Sequence, residues 1–340
     1  MTNPNPADLV GQQPAQPATS PQVSDDPSRR RISSATRQQG FFLAVIVAMF
    51  LAAMPFLPQF HNGQYLMIQL SSYAAILIMA LGQTFVVIQV GFDLSTGAMQ
   101  GFMGGLVFVL VGWQVPDGLV ILAGLGAALA VGVLVHGLLI AKAKINFFIV
   151  TLASFTILPS LLRVLLNGSS KPVFSPTLDA MANGSIAGIR TPVIIGAVVF
   201  GAMWVLLNRT VFGRNVYAVG SNPEAARLAG VNVDRVAMIC YGICALCAGI
   251  AGLLLVGSLG AADPSAGLGN EFFALTAVLL GGTRFSGGAG TLFGTLLGLI
   301  FLIVLSNILL LSGLPQFWIG AVQGVVLLVA VGIDRARRDA

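Results

Sequence analysis

The cations of this chain fall almost entirely on one side of its apolar runs, and that asymmetry constrains the fold more than any other feature. Ten apolar stretches are separated by polar residues, Gly or Pro: Phe41–Leu57, Leu66–Gln89, Leu94–Gly112, Gly118–Ala141, Asn146–Leu166, Pro192–Leu207, Val236–Val256, Phe272–Gly282, Gly290–Leu311 and Pro315–Ile333. A helix needs about 20 residues to cross about 30 Å of hydrocarbon. Read as spans of alternating direction, the stretches place every one of the 17 Lys and Arg on one side except Lys171, Arg190 and the embedded Arg163. Cations collect in short cytoplasmic loops, so that side is the cytoplasm. The expected fold class is an all-α polytopic membrane protein of about ten transmembrane helices, with both termini cytoplasmic. Phe272–Gly282 is too short to span unaided and reads as a broken or partly re-entrant segment. Without it, Arg335, Arg337 and Arg338 would face outward.

Only 9% of the residues are charged and the mean hydropathy is +0.91, against about 25% charged in an ordinary soluble domain. The net charge of +5 sits at helix ends rather than on a soluble basic surface, so nucleic acid is not an expected partner. Residues 1–40, rich in Pro, Gln, Ser and Asp, read as a disordered cytoplasmic tail. Arg29–Arg31 and Arg37 precede the first span, where they are placed to touch anionic membrane lipids. Residues 41–333 form the transmembrane domain, with an outer loop at 167–191, an inner loop at 208–235 and a cytoplasmic tail at 334–340.

The inner loop is the most specific segment. Ser221 and Asn222 are good N-caps, Pro223 suits a first helical turn, and Glu224 is placed to close a capping box on Ser221. Gly230 supplies a left-handed stop. The pattern predicts a helix of about two turns, too short to be stable in water by itself. Its face of Ala225, Leu228 and Ala229 is small and apolar, suited to a groove on another protein.

The polar residues of the spans are fewer. Asp93 is a membrane carboxylate and therefore a site candidate by default; equally, it caps the helix that starts at Ser95. An internal echo aligns Gly91, Leu94, Ser95, Gly97 and Ala98 with Gly282, Phe285, Ser286, Gly288 and Ala289, which sets Asp93 opposite Arg284 and predicts an ion pair between equivalent inner turns. Arg163 is expected to snorkel outward. Cys240, Cys244 and Cys247 share one helical face and read as small packing residues rather than a metal or redox site. His61 and His136 stand alone in sequence and read as structural. No metal site and no cofactor are expected.

Glu224-Ala225-Ala226 with Gly230 four residues on resembles the opening of the E-A-A-x-x-x-G motif of importer permeases of the ATP-binding cassette class, although the Ile and Leu-Pro that complete that motif are absent. Gly91-Phe92-Asp93-Leu94-Ser95-Thr96-Gly97, Gly281-Gly282-Thr283-Arg284-Phe285-Ser286-Gly287-Gly288 and Gly213-Arg214-Asn215-Val216-Tyr217-Ala218-Val219-Gly220 are similar to blocks of the ribose, xylose and galactoside branch. The resemblance runs from about Leu66 to Asp334.

It implies a type II importer-like permease fold in the bacterial inner membrane, with Ser221, Asn222, Glu224, Ala225, Ala226, Arg227 and Gly230 coupling to a separate ATPase. It also implies a periplasmic substrate-binding protein and a second permease copy, identical or related. The fifth span lines the path in the related fold, which points to Asn146, Phe147, Thr151, Ser154 and Phe155, with Asp93, as path residues. Helix-to-helix packing is the other reading of those hydroxyls.

No lysine sits in a phosphate-cradling Gly-x-x-x-x-Gly-Lys-Ser/Thr pattern, so the chain reads as a transporter subunit and not an enzyme. The expected function is import of a monosaccharide. The alternatives are an ion-coupled secondary transporter, or a permease of the same class for a nucleoside, a signalling furanose or a branched-chain amino acid.

Overall fold

Helices account for nearly all of the regular structure, because in hydrocarbon a chain must satisfy its backbone hydrogen bonds within itself. The computed structural model describes residues 27–339. The helices are α1 (Pro27–Ala53), α2 (Gly63–Ser72), α3 (Ala74–Ile88), α4 (Thr96–Gly112), α5 (Asp117–Lys142), α6 (Phe147–Leu165), α7 (Pro176–Asn183), α8 (Thr191–Arg209), α9 (Val211–Ser221), α10 (Pro223–Leu228), α11 (Val233–Leu259), α12 (Asn270–Leu280), α13 (Leu292–Leu311) and α14 (Gln316–Asp339). A 3-10 turn at Pro58–His61 and two two-residue antiparallel ladders, Lys171–Pro172 with Ala261–Ala262 and Ser185–Ile186 with Ile189–Arg190, complete the list.

Among the described residues five helices are long and apolar enough to cross a membrane alone, namely α5, α6, α8, α11 and α13, and the α2–α3 pair, bent by 46° at Tyr73, makes a sixth. Four shorter apolar helices, Phe42–Ala53, Thr96–Gly112, Asn270–Leu280 and Trp318–Gly332, fall on the remaining expected spans. The chain is a helical polytopic membrane protein.

The ends differ from expectation. Residues 1–26 of the expected tail lie outside the described residues, but the backbone is helical from Pro27, not from Phe41. Once an apolar run has nucleated a helix, Arg, Ala, Gln and Ser extend it at little cost. The same holds at the other end, where α14 continues as helix through the expected tail to Asp339.

The centre is built on α3 and α11, whose apolar residues are buried all round: Ile78, Met79, Leu81 and Phe85 from one, Tyr241, Cys244, Ala248 and Leu253 from the other. Small residues bring them together. A Cβ on Gly82 would lie 2.9 Å from the Cys244 Cα and 2.9 Å from the Cys247 Cβ, so these two pack as small residues against α3; Cys244 Sγ also donates to Gln83 Oε1 at 3.2 Å, and all three cysteines are free and buried.

α12 has 11 residues, about 16 Å of rise and half a bilayer core. Its non-helical lead-in is held against α4, where Gly267 (φ +81°) would place a Cβ 2.3 Å from the Gly97 carbonyl oxygen. Glu271, buried in the first turn of α12, accepts from the Gly269 N–H at 3.0 Å. Asn270 Nδ2 donates to Gln100 Oε1 on α4 at 2.8 Å. The lead-in is packed on α4 at Gly267 and Asn270, while Ser265, Leu268 and Gly269 are exposed; irregular backbone is tolerated at membrane depth where it is buried in protein or lines a water-filled cavity.

A Cβ on Gly97 would fall 1.8 Å from Glu271 Oε2 and 2.5 Å from the Gly267 carbonyl oxygen. Gly97→Ala is expected to cost about 2 kcal/mol by overpacking and to lower the melting temperature in detergent. Gly126→Ala on α5, with nothing within 4 Å, should leave that temperature unchanged or raise it.

Candidate functional site

The α8–α11 connection is two helices where the sequence pattern predicts one. α9 is capped by Thr210, whose Oγ1 accepts from the Gly213 N–H at 3.2 Å, and it buries Val216 and Val219 along one face. The stripe Phe212, Val216, Val219 at i, i+4, i+7 was the signal for it.

Ser221 closes α9, so the expected capping box between Ser221 and Glu224 does not form. Asn222 is the cap of α10: its Oδ1 accepts from both the Glu224 and Ala225 N–H groups at 3.0 Å. At the far end Gly230 takes φ +83°. Its N–H donates to Arg227 O and that of Val231 to Ala226 O, both at 3.0 Å, which is the paired closure of a Schellman stop.

α10 is six residues long and turns only Ala226 inward. Ala225, Leu228 and Ala229 are exposed with Glu224 and Arg227, and Leu228 is 91% exposed. Capping at both ends and one buried Ala hold this helix rigid while it presents a bare Leu to solvent. In isolation such a face costs apolar exposure without return.

The joint between α9 and α10 sits directly on backbone. A Cβ on Gly220 would lie 1.8 Å from the Ile88 carbonyl oxygen and 2.7 Å from the Gly288 nitrogen, and the Gly288 N–H donates to Ile88 O at 2.8 Å. Tyr217 Oη donates to Gly290 O at 2.8 Å; burial pushes its pKa up to about 12, so the donor stays protonated. Three segments therefore meet here: the α9–α10 joint, the turn after α3 and the α12–α13 loop. In that turn Val90 adopts φ +70°, a left-handed conformation that is a true outlier for a β-branched residue and costs on the order of 1–3 kcal/mol.

The two turns joined by the sequence echo are neighbours, but not through the expected ion pair. Phe92 and Phe285 meet with ring centroids 5.5 Å apart, while Arg284 is exposed and Asp93 faces the other way. Asp93 is buried. Its Oδ1 accepts from the Ser95 N–H at 2.8 Å and from Ser95 Oγ at 2.6 Å. Its Oδ2 lies 3.3 Å from His136 Nδ1, within ion-pair distance but out of hydrogen-bond alignment, and neither of these two atoms has a hydrogen-bond partner. His136 Nε2 is 2.8 Å from Ser154 Oγ. Which of Nε2 and the Ser154 hydroxyl donates in that contact depends on the imidazole tautomer.

Of the expected path residues, Thr151 and Ser154 do share a face of α6, and that face is buried. Thr151 Oγ1 donates to Phe147 O at 2.9 Å. Asn146 caps α6 by accepting from the Phe148 N–H at 2.8 Å, Phe147 stacks edge-on against Phe92 at 4.9 Å, and Phe155 is half-buried against the main core. The exposed side carries Thr156, Ser160 and Arg163 among the apolar Ile149, Leu152, Ile157, Leu161 and Val164. His61 Nε2 lies 3.1 Å from Met54 O. Sequence reasoning missed His136, because no local pattern joins it to Asp93, 43 positions away.

Removal of the Asn222 amide should cost α10 about 1 kcal/mol. Hydrogen exchange at Glu224 and Ala225 is expected to quicken roughly fivefold in Asn222→Ala and to be unaltered in Ser221→Ala.

The family described as branched-chain amino acid transport system / permease component matches residues 65–331. The chain is 38% identical to the ribose import permease protein RbsC of Escherichia coli K12 over 283 residues, covering 82% of this chain and 87% of the relative. Identity is 35% over 300 residues to RbsC of Bacillus subtilis 168 (88% and 91% covered) and 31% over 366 residues to the xylose transport system permease protein XylH of E. coli K12 (86% and 92%). No solved structure matches the chain significantly.

Proposed function

The chain belongs to the branched-chain amino acid transport system / permease component family, and on that footing we propose that it is the membrane permease of an ATP-driven monosaccharide importer. The relatives named above are permeases for ribose and xylose, which favours a sugar over an amino acid as cargo. ATP hydrolysis then belongs to a separate ATPase subunit, and delivery of the sugar to a periplasmic binding protein. With the cation-rich loops in the cytoplasm of a bacterial inner membrane, α10 faces the ATPase.

The observation that carries the reading is Leu228, 91% exposed on a six-residue helix closed at both ends. A helix of that size gains nothing from solvent display and is stabilised by insertion into a partner's groove. Glu224 and Arg227 flank the Leu and supply a polar rim. The path would run along the exposed face of α6 at Thr156, Ser160 and Arg163, against a second permease copy, identical or related.

An ion-coupled secondary transporter is the second reading, and buried Asp93, His136 and Glu271 are what it would use, since such machines bury ionisable groups for coupling. Reconstitution separates the two. The purified chain, the ATPase and the binding protein encoded with it are placed in liposomes and given labelled ribose, xylose or leucine. ATP-dependent uptake of a sugar is expected, with no leucine uptake. Leu228→Asp should insert normally and lose ATPase capture at least about tenfold, roughly what desolvating an uncompensated charge in an apolar groove costs. Uptake driven by an ion gradient with ATP absent overturns the proposal in favour of the second reading.

A further inference from the structure

Asp93, His136 and Ser154 come from three segments, the turn after α3, α5 and α6, and form one buried polar line. They are 1%, 0% and 7% exposed. Tyr241 of α11 closes the site with its ring edge-on to the imidazole, centroids 6.3 Å apart. Nothing in the turn that Asp93 makes with Ser95 calls for His136. Ser95 alone satisfies Oδ1, and Oδ2 has His136 as its polar neighbour.

Two further observations bear on what the line does. From Val131 to Lys142, the half of α5 that carries His136 is a π-helix. At its end the Ala143 N–H reaches Leu138 O, five residues back, at 2.9 Å. π-Helical segments are rare and concentrate at functional sites. Here the register is fixed on both sides of His136, with Gly132 set against the Tyr241 carbonyl and the Gly242 Cα and Gly137 against the Met238 Cα. Reversion to the α register would turn residue 136 off the line between Asp93 and Ser154. The second observation is Val90, strained at φ +70° in the same turn as Asp93. That turn follows Ile88, on which the α9–α10 joint rests.

We infer that His136 is a positioning residue of the transport cycle: by bridging Asp93 and Ser154 it holds α6 to the turn that receives motion from α10. The inference rests on the ATP-driven reading above and adds the element that transmits. Force applied at α10 reaches Ile88 and Gly288 through backbone contact at Gly220 and Ser221, passes along the strained turn to Asp93, and reaches α6 at Ser154 through the imidazole. The aromatic contact of Phe92 with Phe147 ties the same turn to the first residue of α6, so the line through His136 acts about two turns further along the helix. Without the imidazole, α6 keeps its packing on α4 through Leu158 and Leu162 but loses its polar tie to the turn, and ATPase strokes move it less.

The test uses the full complex in liposomes with labelled ribose and labelled xylose as probes, and reads ATP hydrolysed per sugar taken up. For His136→Ala the ratio is expected to rise at least about fivefold with ATPase capture intact, and for Ser154→Ala about two- to threefold. His136→Asn, whose amide keeps one donor and one acceptor, should lie between His136→Ala and the native protein. A ratio unchanged in both alanine variants, with uptake and hydrolysis falling together, overturns the inference and leaves the line a structural tie. Should His136→Ala fail to assemble, Ser154→Ala decides alone, since it removes one hydroxyl: a raised ratio supports transmission and an unchanged ratio overturns it. Failure of the parent reading shows separately, as native complex that takes up neither sugar with ATP.

Discussion

A backbone amide stranded in hydrocarbon costs several kcal/mol, and each interruption of a helix in this molecule is built around that penalty. Between α3 and α4 the Gly91 N–H returns to Val86 O and the Val90 N–H to Val87 O, the Ser95 N–H goes to Asp93, and Ile88 O receives Gly288. Between α11 and α12 the Gly269 N–H goes to Glu271 and the Asn270 N–H to Gly267 O. Between α12 and α13 the Arg284 N–H goes to Ala289 O and Thr291 caps Gly294. The two membrane carboxylates thus have the same local task, taking up the N–H of the residue that precedes a helix, Ser95 before α4 and Gly269 before α12. They differ in the second oxygen: Glu271 offers both to Gly269, whereas Asp93 spends one on Ser95 and keeps one for His136.

This accounts for what could and could not be read from the residues in order. Spans were legible because hydropathy and the side on which cations fall are properties of contiguous stretches, and even α12 announced itself by being too short. The stop at Gly230 was legible because only a left-handed residue ends a helix that way. Position on a face was legible for Thr151 and Ser154, three apart, but the direction in which that face points was not, since it depends on which neighbour α6 packs against. The pairing of Asp93 with His136 had no local signal at all. The echo placing Asp93 opposite Arg284 found two turns that do touch and chose the wrong atoms, because at that contact the meeting groups are rings, Phe92 and Phe285. α7, inside the outer loop, carried a readable Ser175-Pro176 start, with Ser175 Oγ accepting from the Leu178 N–H at 3.2 Å.

Small residues carry as much of the argument as polar ones. In lipid there is little hydrophobic gain from bringing two apolar helices together, so close approach through Gly, Ala and Cys does the work. α11 shows this along its length: Gly242 meets Val133 and Leu129, Gly249 meets Ala128, Gly252 meets Met103 and the Gln100 carbonyl, and Cys244 and Cys247 meet Gly82. A helix locked to α3, α4 and α5 in this way cannot slide far against any of them.

On the proposed reading, that rigidity is why a six-residue helix would suffice as a handle. A short helix on a flexible loop would absorb a partner's motion in its own hinge. Here the hinge is removed: Gly220 leaves no side chain between the α9–α10 joint and the Ile88 carbonyl, Tyr217 fastens α9 to Gly290, and Asn222 and Gly230 close α10 at its two ends. On that reading, displacement of Leu228 would appear as displacement of the turn after α3. In that turn Val90 already sits in a costly conformation, so a second arrangement of the turn is closer in free energy than it would be for a relaxed one. A strained turn between a stiff handle and a packed core is where a discrete change of state is least expensive, and it is the same turn whose carboxylate reaches across to the helix that would line the path.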